Sequence, residues 1–462
     1  MGNEQLVTMK LIDLCELIID CPHSTPKWTD SGYIVLRNQN IRNGSLDLSS
    51  PSFTDENGYK SRIKRAEPKA GDLVLTREAP MGEVCLIPKG LKCCLGQRQV
   101  LLRPKTEVSG EYLFWALQSP FVQHQVSWNE GTGTTVSNIR IPVLKAFEIP
   151  RWFQHESMIA SHLSAIRNKI DLNRQINQTL EQMAKTLFKS WFVDFDPVID
   201  NALDAGFFEQ DLAFSDELLR RVEIRKAVRE RDDFKELPDD IRQLFPDSFE
   251  ECAEPALGLG GWIPTSWTLS NVGAEFDVTM GQSPPSSTYN EIGIGLPFFQ
   301  GKTDFGFRFP TNRVYCTAPK RMANKNDTLI SVRAPVGDIN LAAEDCAIGR
   351  GIAAARHKSG CISFTYYSMN SLSKYFEVFE GEGTVFGSIN QKDFKALLFI
   401  KYPFELINKF DFFCSEWDKR IDVQSIENIV LTKLRDTLLP KLISGELSLS
   451  DIKIDNPEET LI

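Results

Sequence analysis

Ile170-Asp-Leu-Asn-Arg-Gln-Ile-Asn-Gln-Thr-Leu-Glu-Gln-Met-Ala-Lys-Thr-Leu187 returns 251 residues later as Ile421-Asp-Val-Gln-Ser-Ile-Glu-Asn-Ile-Val-Leu-Thr-Lys-Leu-Arg-Asp-Thr-Leu438. Ile170, Asp171, Asn177, Leu180, Thr186 and Leu187 fall on identical residues at Ile421, Asp422, Asn428, Leu431, Thr437 and Leu438. Spacings of three and four run from Ile159 to Leu187 and from Trp417 to Leu438, as in a coiled-coil-like seam. Long helices are predicted over about 153–195 and 406–446, and residues 155–192 as one helix would span on the order of 57 Å at about 1.5 Å per residue. Asp194-Phe-Asp-Pro197 should close the first; Pro440 should kink the second, and Ser444-Gly445 should end it. Asn177 and Asn428 occupy matched seam positions, where a buried asparagine pair fixes register. A partly exposed asparagine is the plainer alternative. Trp191 and Phe192 extend the seam, either toward a partner or into a private core with Phe188 and Phe195.

The duplication extends outward from the helices. Gly71-Asp-Leu-Val-Leu-Thr-Arg-Glu-Ala-Pro-Met-Gly-Glu-Val84 recurs 255 residues on as Asn326-Asp-Thr-Leu-Ile-Ser-Val-Arg-Ala-Pro-Val-Gly-Asp-Ile339. In each copy an apolar strand should stop at an Ala-Pro-x-Gly turn. Gly131-Thr-Gly-Thr134 likewise returns as Gly381-Glu-Gly-Thr384. Three blocks in one order mean a duplicated chain. The expected layout is a mixed domain (1–152), a helix (153–195), an acidic connector (196–260), a second mixed domain (261–405), a helix (406–446) and an acidic tail (447–462). The connector should hold a charged helix near Asp216 to Asp233 and end in a flexible join at Leu257-Gly-Leu-Gly-Gly261. The fold class is mixed α/β (α+β): two globular domains separated by two long antiparallel coiled-coil-like helices, a pseudo-twofold internal repeat.

At 462 residues, with 42% apolar and 25% charged content, the chain should form several globular domains. No apolar run is long enough to span a bilayer, so no membrane partner is expected. Met1-Gly-Asn-Glu-Gln-Leu6 reads as neither a secretory signal nor a myristoylation site. Ten scattered cysteines without Cys-x-x-Cys, and five histidines, suggest no metal site and a cytoplasmic protein with reduced thiols. The net charge of −10 argues at first against nucleic acid, but residues 197–255 hold 17 acids against 8 bases and the tail is acidic too. The two domains are near neutral or mildly basic, which permits DNA binding.

Parallel polar loops are the candidate DNA contacts. Arg37-Asn38-Gln39-Asn40 follows an apolar strand at Tyr33 to Leu36, and Gln300-Gly301-Lys302-Thr303 follows Leu296 to Phe299. Arginine can pair with guanine, and asparagine or glutamine with adenine, through two hydrogen bonds. The loops Thr132, Gly133, Thr134, Thr135 to Asn138 and Gly383, Thr384 to Ser388 and Asn390 offer small residues, hydroxyls and amides for phosphates. Lys60, Arg62, Lys64 and Arg65 form a basic cluster, and Arg77 and Arg333 flank the Ala-Pro turns. Ordinary turns and solvated surface are the plain alternatives. If the helices pack antiparallel, the domains would stand several tens of Å apart, about a DNA turn of ~34 Å, and read two different half-sites.

With this plan, the sequence resembles the type I restriction-modification specificity subunits along nearly its whole length. The resemblance is carried by Gly71-Asp-Leu-Val-Leu-Thr with Ala79-Pro-Met-Gly82, Asn326-Asp-Thr-Leu-Ile-Ser with Ala334-Pro-Val-Gly337, and Gly131-Thr-Gly-Thr-Thr135. It also rests on Gln178-Thr-Leu-Glu-Gln-Met-Ala-Lys-Thr-Leu-Phe-Lys-Ser-Trp-Phe-Val-Asp-Phe-Asp-Pro197, Leu244-Phe-Pro-Asp-Ser-Phe249 and Leu438-Leu-Pro-Lys-Leu-Ile-Ser-Gly-Glu-Leu447. The resemblance implies two target-recognition domains on double-stranded DNA. It implies helices that dock two methyltransferase subunits, with restriction/translocase subunits joining, and adenine methylation of a split site. S-adenosylmethionine, ATP and magnesium would belong to those partners, with no cofactor in this chain. Glu382 departs from the pattern, since it would repel phosphate unless it reads a cytosine amino group.

A self-contained enzyme is disfavoured. The sole Pro-Pro, in Ser283-Pro-Pro-Ser286, lies outside any base-flipping loop, and no glycine-rich nucleotide loop follows a strand. The remaining alternative is a duplicated protein-interaction scaffold without sequence-specific DNA reading.

Overall fold

The computed structural model describes residues 6–128, 137–376 and 387–447. The seam produces continuous helices at Glu156–Phe192 and Phe404–Ser444. The first stops where Phe195 takes a left-handed φ of 54° ahead of Asp196–Asp204, with Pro197 in the first turn of that helix, where its missing N–H costs nothing. The second continues past Pro440 to Ser444. Gly445 then takes φ +74° beneath Trp152, where a Cβ would lie 1.8 Å from the indole.

The chain divides into two compact units that do not follow chain order. One joins Met1–Arg174 to Ser425–Ile462; the other is Gln175–Gln424. Each therefore holds a mixed domain and a stretch of both long helices.

In the first unit Val7–Lys10 pairs antiparallel with Glu148–Arg151 and closes the domain at its base. An antiparallel sheet runs Cys15–Asp20, Gln99–Pro104, Leu73–Thr76, Val84–Leu86. A second sheet runs Cys93–Leu95, Tyr33–Leu36, Ser52–Thr54, Trp28–Thr29, and its first pair is parallel. Leu73, Leu75, Val100 and Leu102 face a core shared with Tyr112, Trp115, Leu163, Leu439 and Leu442. Burial of that apolar surface attaches the domain to the helices, each such side chain contributing about 1.5–3 kcal/mol. The Trp152 indole N–H donates to the Ile443 carbonyl at 3.2 Å.

The second unit repeats this plan. Thr268–Asn271 pairs with Leu398–Lys401, and an antiparallel sheet runs Phe276–Met280, Ile352–His357, Thr328–Ser331, Ile339–Leu341. Leu296–Phe299 again pairs in parallel, here with Cys346–Ile348. The two Ala-Pro hairpins match bond for bond. Thr76 Oγ1 donates to Pro80 O and accepts from Glu83 N; Ser331 Oγ donates to Pro335 O and accepts from Asp338 N. Both Ala-Pro peptides are cis. Asp72 accepts both arms of Arg103, and Asp327 receives Arg356 in the same place.

The connector is folded. Its charged helix, Asp216–Arg229, lies against Asp196–Asp204 through three rungs: Arg221 to Asp196 at 2.8 Å, Arg225 to Asp200 at 3.0 Å and Arg229 to Asp204 at 2.5 Å. A four-residue spacing on both helices puts each set on one face. Partly exposed pairs are each worth about 0–1 kcal/mol, so the larger contribution comes from buried Phe195, Phe207, Phe249, Trp262 and Trp267. The expected flexible join is instead a packed turn. Leu257 and Leu259 are buried, and Gly258, at φ +65°, would set a Cβ 2.1 Å from the Trp262 carbonyl.

Candidate nucleic-acid interface

Parallel pairing brings the loops after two strands out at the same rim, because both strands end at one edge. In the first unit those strands are Tyr33–Leu36 and Cys93–Leu95. The loop after the first is a single 3-10 turn, Asn38–Asn40. Buried Asn40 secures it, accepting from Arg37 N at 2.8 Å and donating to Asp47 O at 2.9 Å. Asn38 donates to Glu78 O. Arg37 and Gln39 face outward, Arg37 lying 5.4 Å from the ring centre of half-exposed Trp28. The loop after the second strand packs on the first. Gly96 N donates to Leu36 O at 2.7 Å, and a Cβ on Gly96 would strike that oxygen at 2.4 Å. Arg98 follows at φ +67°, half-exposed and 3.2 Å from Glu78.

The second unit builds the same rim from Leu296–Phe299 and Cys346–Ile348. Gly349 N donates to Phe299 O at 2.8 Å, and Cβ atoms on Gly349 and Gly351 would meet Gln300 backbone at 3.2 and 2.3 Å. Exposed Gln300 and Arg350 thus follow the two paired strands of this rim, as exposed Arg37 and Arg98 follow those of the first. Lys302 and Thr303 are exposed too, but Lys302 pairs with Asp338 at 2.8 Å.

Several expected contacts have other duties. Arg62 is buried, and its guanidinium donates to the carbonyls of Leu95 (2.6 Å), Ser24 (2.9 Å) and Pro22 (3.1 Å). It braces strand ends and has no free donor edge for DNA. Arg77 is buried as well, donating to Ile139 O (2.8 Å), Asp20 (2.7 Å) and Asn138 Oδ1 (3.1 Å), while Asn138 donates to Glu78 at 2.7 Å. Arg77 and Asn138 thus meet each other as a brace beneath the rim. Asn390 caps the helix Gln391–Ala396, accepting from Asp393 N at 3.0 Å. Lys60 pairs with Glu56 at 2.7 Å, Arg65 reaches Asp20 O at 3.3 Å, and Lys64 is exposed. Arg333 and Ser388 are exposed and bridge each other's backbones. Thr132, Gly133, Thr134, Thr135, Gly383 and Thr384, with Glu382, lie outside the described residues.

The seam residues sort cleanly. Ile170, Asn177, Trp191, Phe192 and Ile421 are buried, and Leu180, Leu187, Asn428, Leu431 and Leu438 are half-buried. Trp191 and Phe192 belong to a private aromatic core with Phe188, Phe364 and Phe410. Asn428 receives its hydrogen bond from Asn173 at 3.0 Å.

Sequence reasoning missed Arg98 and Arg350. Their signal is a glycine directly after an apolar run with an arginine one or two residues on, Gly96-Gln-Arg98 and Gly349-Arg350, recurring 252 residues apart at the arginines.

Two rims of one design recur on two copies of one domain, each copy followed in the chain by a long helix, so the fold is that of a duplicated domain-plus-helix protein. Residues 3–182 match the family described as the type I restriction modification DNA specificity domain. A Methanocaldococcus jannaschii protein, provisionally named type I restriction enzyme MjaX specificity subunit, is 26% identical over 449 residues, covering 95% of this chain and 92% of its own. The Haemophilus influenzae type I restriction enzyme HindI specificity subunit is 28% identical over 326 residues, 63% of this chain and 67% of that one. The fold matches the type I restriction-modification S subunit of M. genitalium, with a TM-score of 0.53 at 17% identity, covering 96% and 97% of the two chains. Over most of its length the chain is thus similar to type I restriction enzyme specificity subunits, and its residues 3–182 carry the match to their DNA specificity domain. No helix among the described residues is long and apolar enough to cross a membrane.

Proposed function

We propose that this chain reads an asymmetric split sequence in double-stranded DNA, one half-site at each rim, and catalyses nothing itself. The carrying observation is the paired rim, Arg37 with Arg98 and Gln300 with Arg350, built identically from parallel strands but armed with different side chains. Different side chains on one frame read different bases. The long helices dock two methyltransferase subunits, which supply S-adenosylmethionine and methylate adenine. Restriction/translocase subunits with ATP and magnesium complete the complex, and it works in the cytoplasm. Exposed Ile426, Ile429, Val430 and Leu434 on the second long helix support the docking, since they form an apolar face at helical spacing. Exchanging residues 1–150 for a relative's domain tests the reading. The methylated motif should change in one half only, and a change in both halves would overturn it. Salt-dependent, sequence-specific binding in the assembled complex separates this function from that of a protein scaffold.

A further inference from the structure

The second rim continues straight into a tight hairpin. Phe305 bridges Pro310, Gly306 N donates to Phe309 O at 3.2 Å, and both backbone groups of Gly306 are held by Asn340. Arg308 projects from this hairpin, six residues beyond Lys302, and is 1% exposed. Its guanidinium donates to Glu181 on the first long helix at 2.6 Å and to Asp418 on the second at 2.6 Å. It also donates to the Tyr367 hydroxyl at 3.1 Å and lies 3.7 Å from the Tyr366 ring centre. Ser363 Oγ donates to Asp418 from the same helix as the tyrosines. Burial works against the charge on Arg308, but Asp418, the tyrosines and Glu181 outweigh it and hold the guanidinium protonated.

The first unit has no such arm among its described residues. Its corresponding hairpin, Ile41–Arg42 with Ser45–Leu46, turns at Gly44. There a Cβ would lie 2.3 Å from Gln118 Oε1 and 3.1 Å from Phe114, so the hairpin rests on a short helix of its own domain by close backbone approach.

We propose that Arg308 is a positioning residue: it clamps the second rim to the two helix segments of its unit and so sharpens discrimination of the spacer between half-sites. The inference rests on the two-reader function above. A planar guanidinium suits this task, because separate nitrogens reach two carboxylates at a fixed angle, which one ammonium cannot do. With the clamp loosened, the rim keeps its own side chains and its base preference but tilts on the helices.

The test uses the full chain with its methyltransferase, selecting from duplexes randomised in sequence and spacer length. Arg308→Lys keeps the charge and Glu181→Gln keeps the shape, so both are compared with wild type by Tm alongside the selection. Each variant should lose at least about tenfold of the preference for the native spacer over one a base pair longer or shorter, with both half-sites unchanged. A lower Tm with spacer preference intact overturns the proposal and leaves Arg308 a purely structural group. A change of bases in the second half-site also overturns it, by making Arg308 part of base readout. A wild-type chain that selects no split motif overturns both this inference and the function beneath it.

Discussion

Asn173 donates its side-chain amide to the side-chain oxygen of Asn428 at 3.0 Å and to Glu427 at 2.7 Å. The helices thus meet through a polar pair in the first unit, but Asn428 pairs one turn earlier on the first helix than its repeat equivalent, Asn177. Asn173→Ala and Asn428→Ala, singly and together, should give a coupling of about 1 kcal/mol in a double-mutant cycle by denaturant unfolding. A coupling near zero would show that the pair does not hold register.

Arg37→Ala and Arg98→Ala should each weaken binding by about 1–3 kcal/mol through one half-site, and Gln300→Ala and Arg350→Ala through the other. Binding to duplexes mutated in one half at a time measures this. Losses spread over both halves would count against separate rims.

Arg62→Met leaves three carbonyl oxygens without their donor, at about 1–3 kcal/mol for each that stays buried. The expected result is a clearly lower Tm with the recognised motif intact in the folded fraction. Lys60→Ala, which breaks an exposed pair, should change Tm little.

Burial of His357, opposed by Glu275 and helped by Lys358, pushes its pKa down from 6.5 to about 4. The unfolded chain takes up the proton near pH 6.5 while the folded one resists it until about 4. The contribution of neutral His357 is therefore full above pH 6.5 and is lost as pH falls toward 4. His357→Gln should flatten the decline in Tm across that window; an unchanged slope would assign the decline to other groups.

What the sequence revealed is what repeats. Strand, Ala-Pro-x-Gly turn and seam helix recur with fixed spacing, so the hairpins and Glu156–Phe192 stand where the pattern puts them. Parallel pairing of Tyr33–Leu36 with Cys93–Leu95 joins residues about sixty apart and has no local mark, so the second loop of each rim went unseen. Arg62 and Arg77 misled for the same reason. Their carbonyl partners, such as Leu95 and Ile139, converge only in the fold, and a cluster of charges says nothing of that. Arg308 carries no motif at all.

The first unit needs both ends of the described chain: Trp152 donates to Ile443, and Leu439 and Leu442 complete its core. The second unit is one uninterrupted stretch, Gln175–Gln424. During synthesis, the domain translated first must therefore wait on the ribosome, its core unfinished, while the domain translated after it already has every residue it needs.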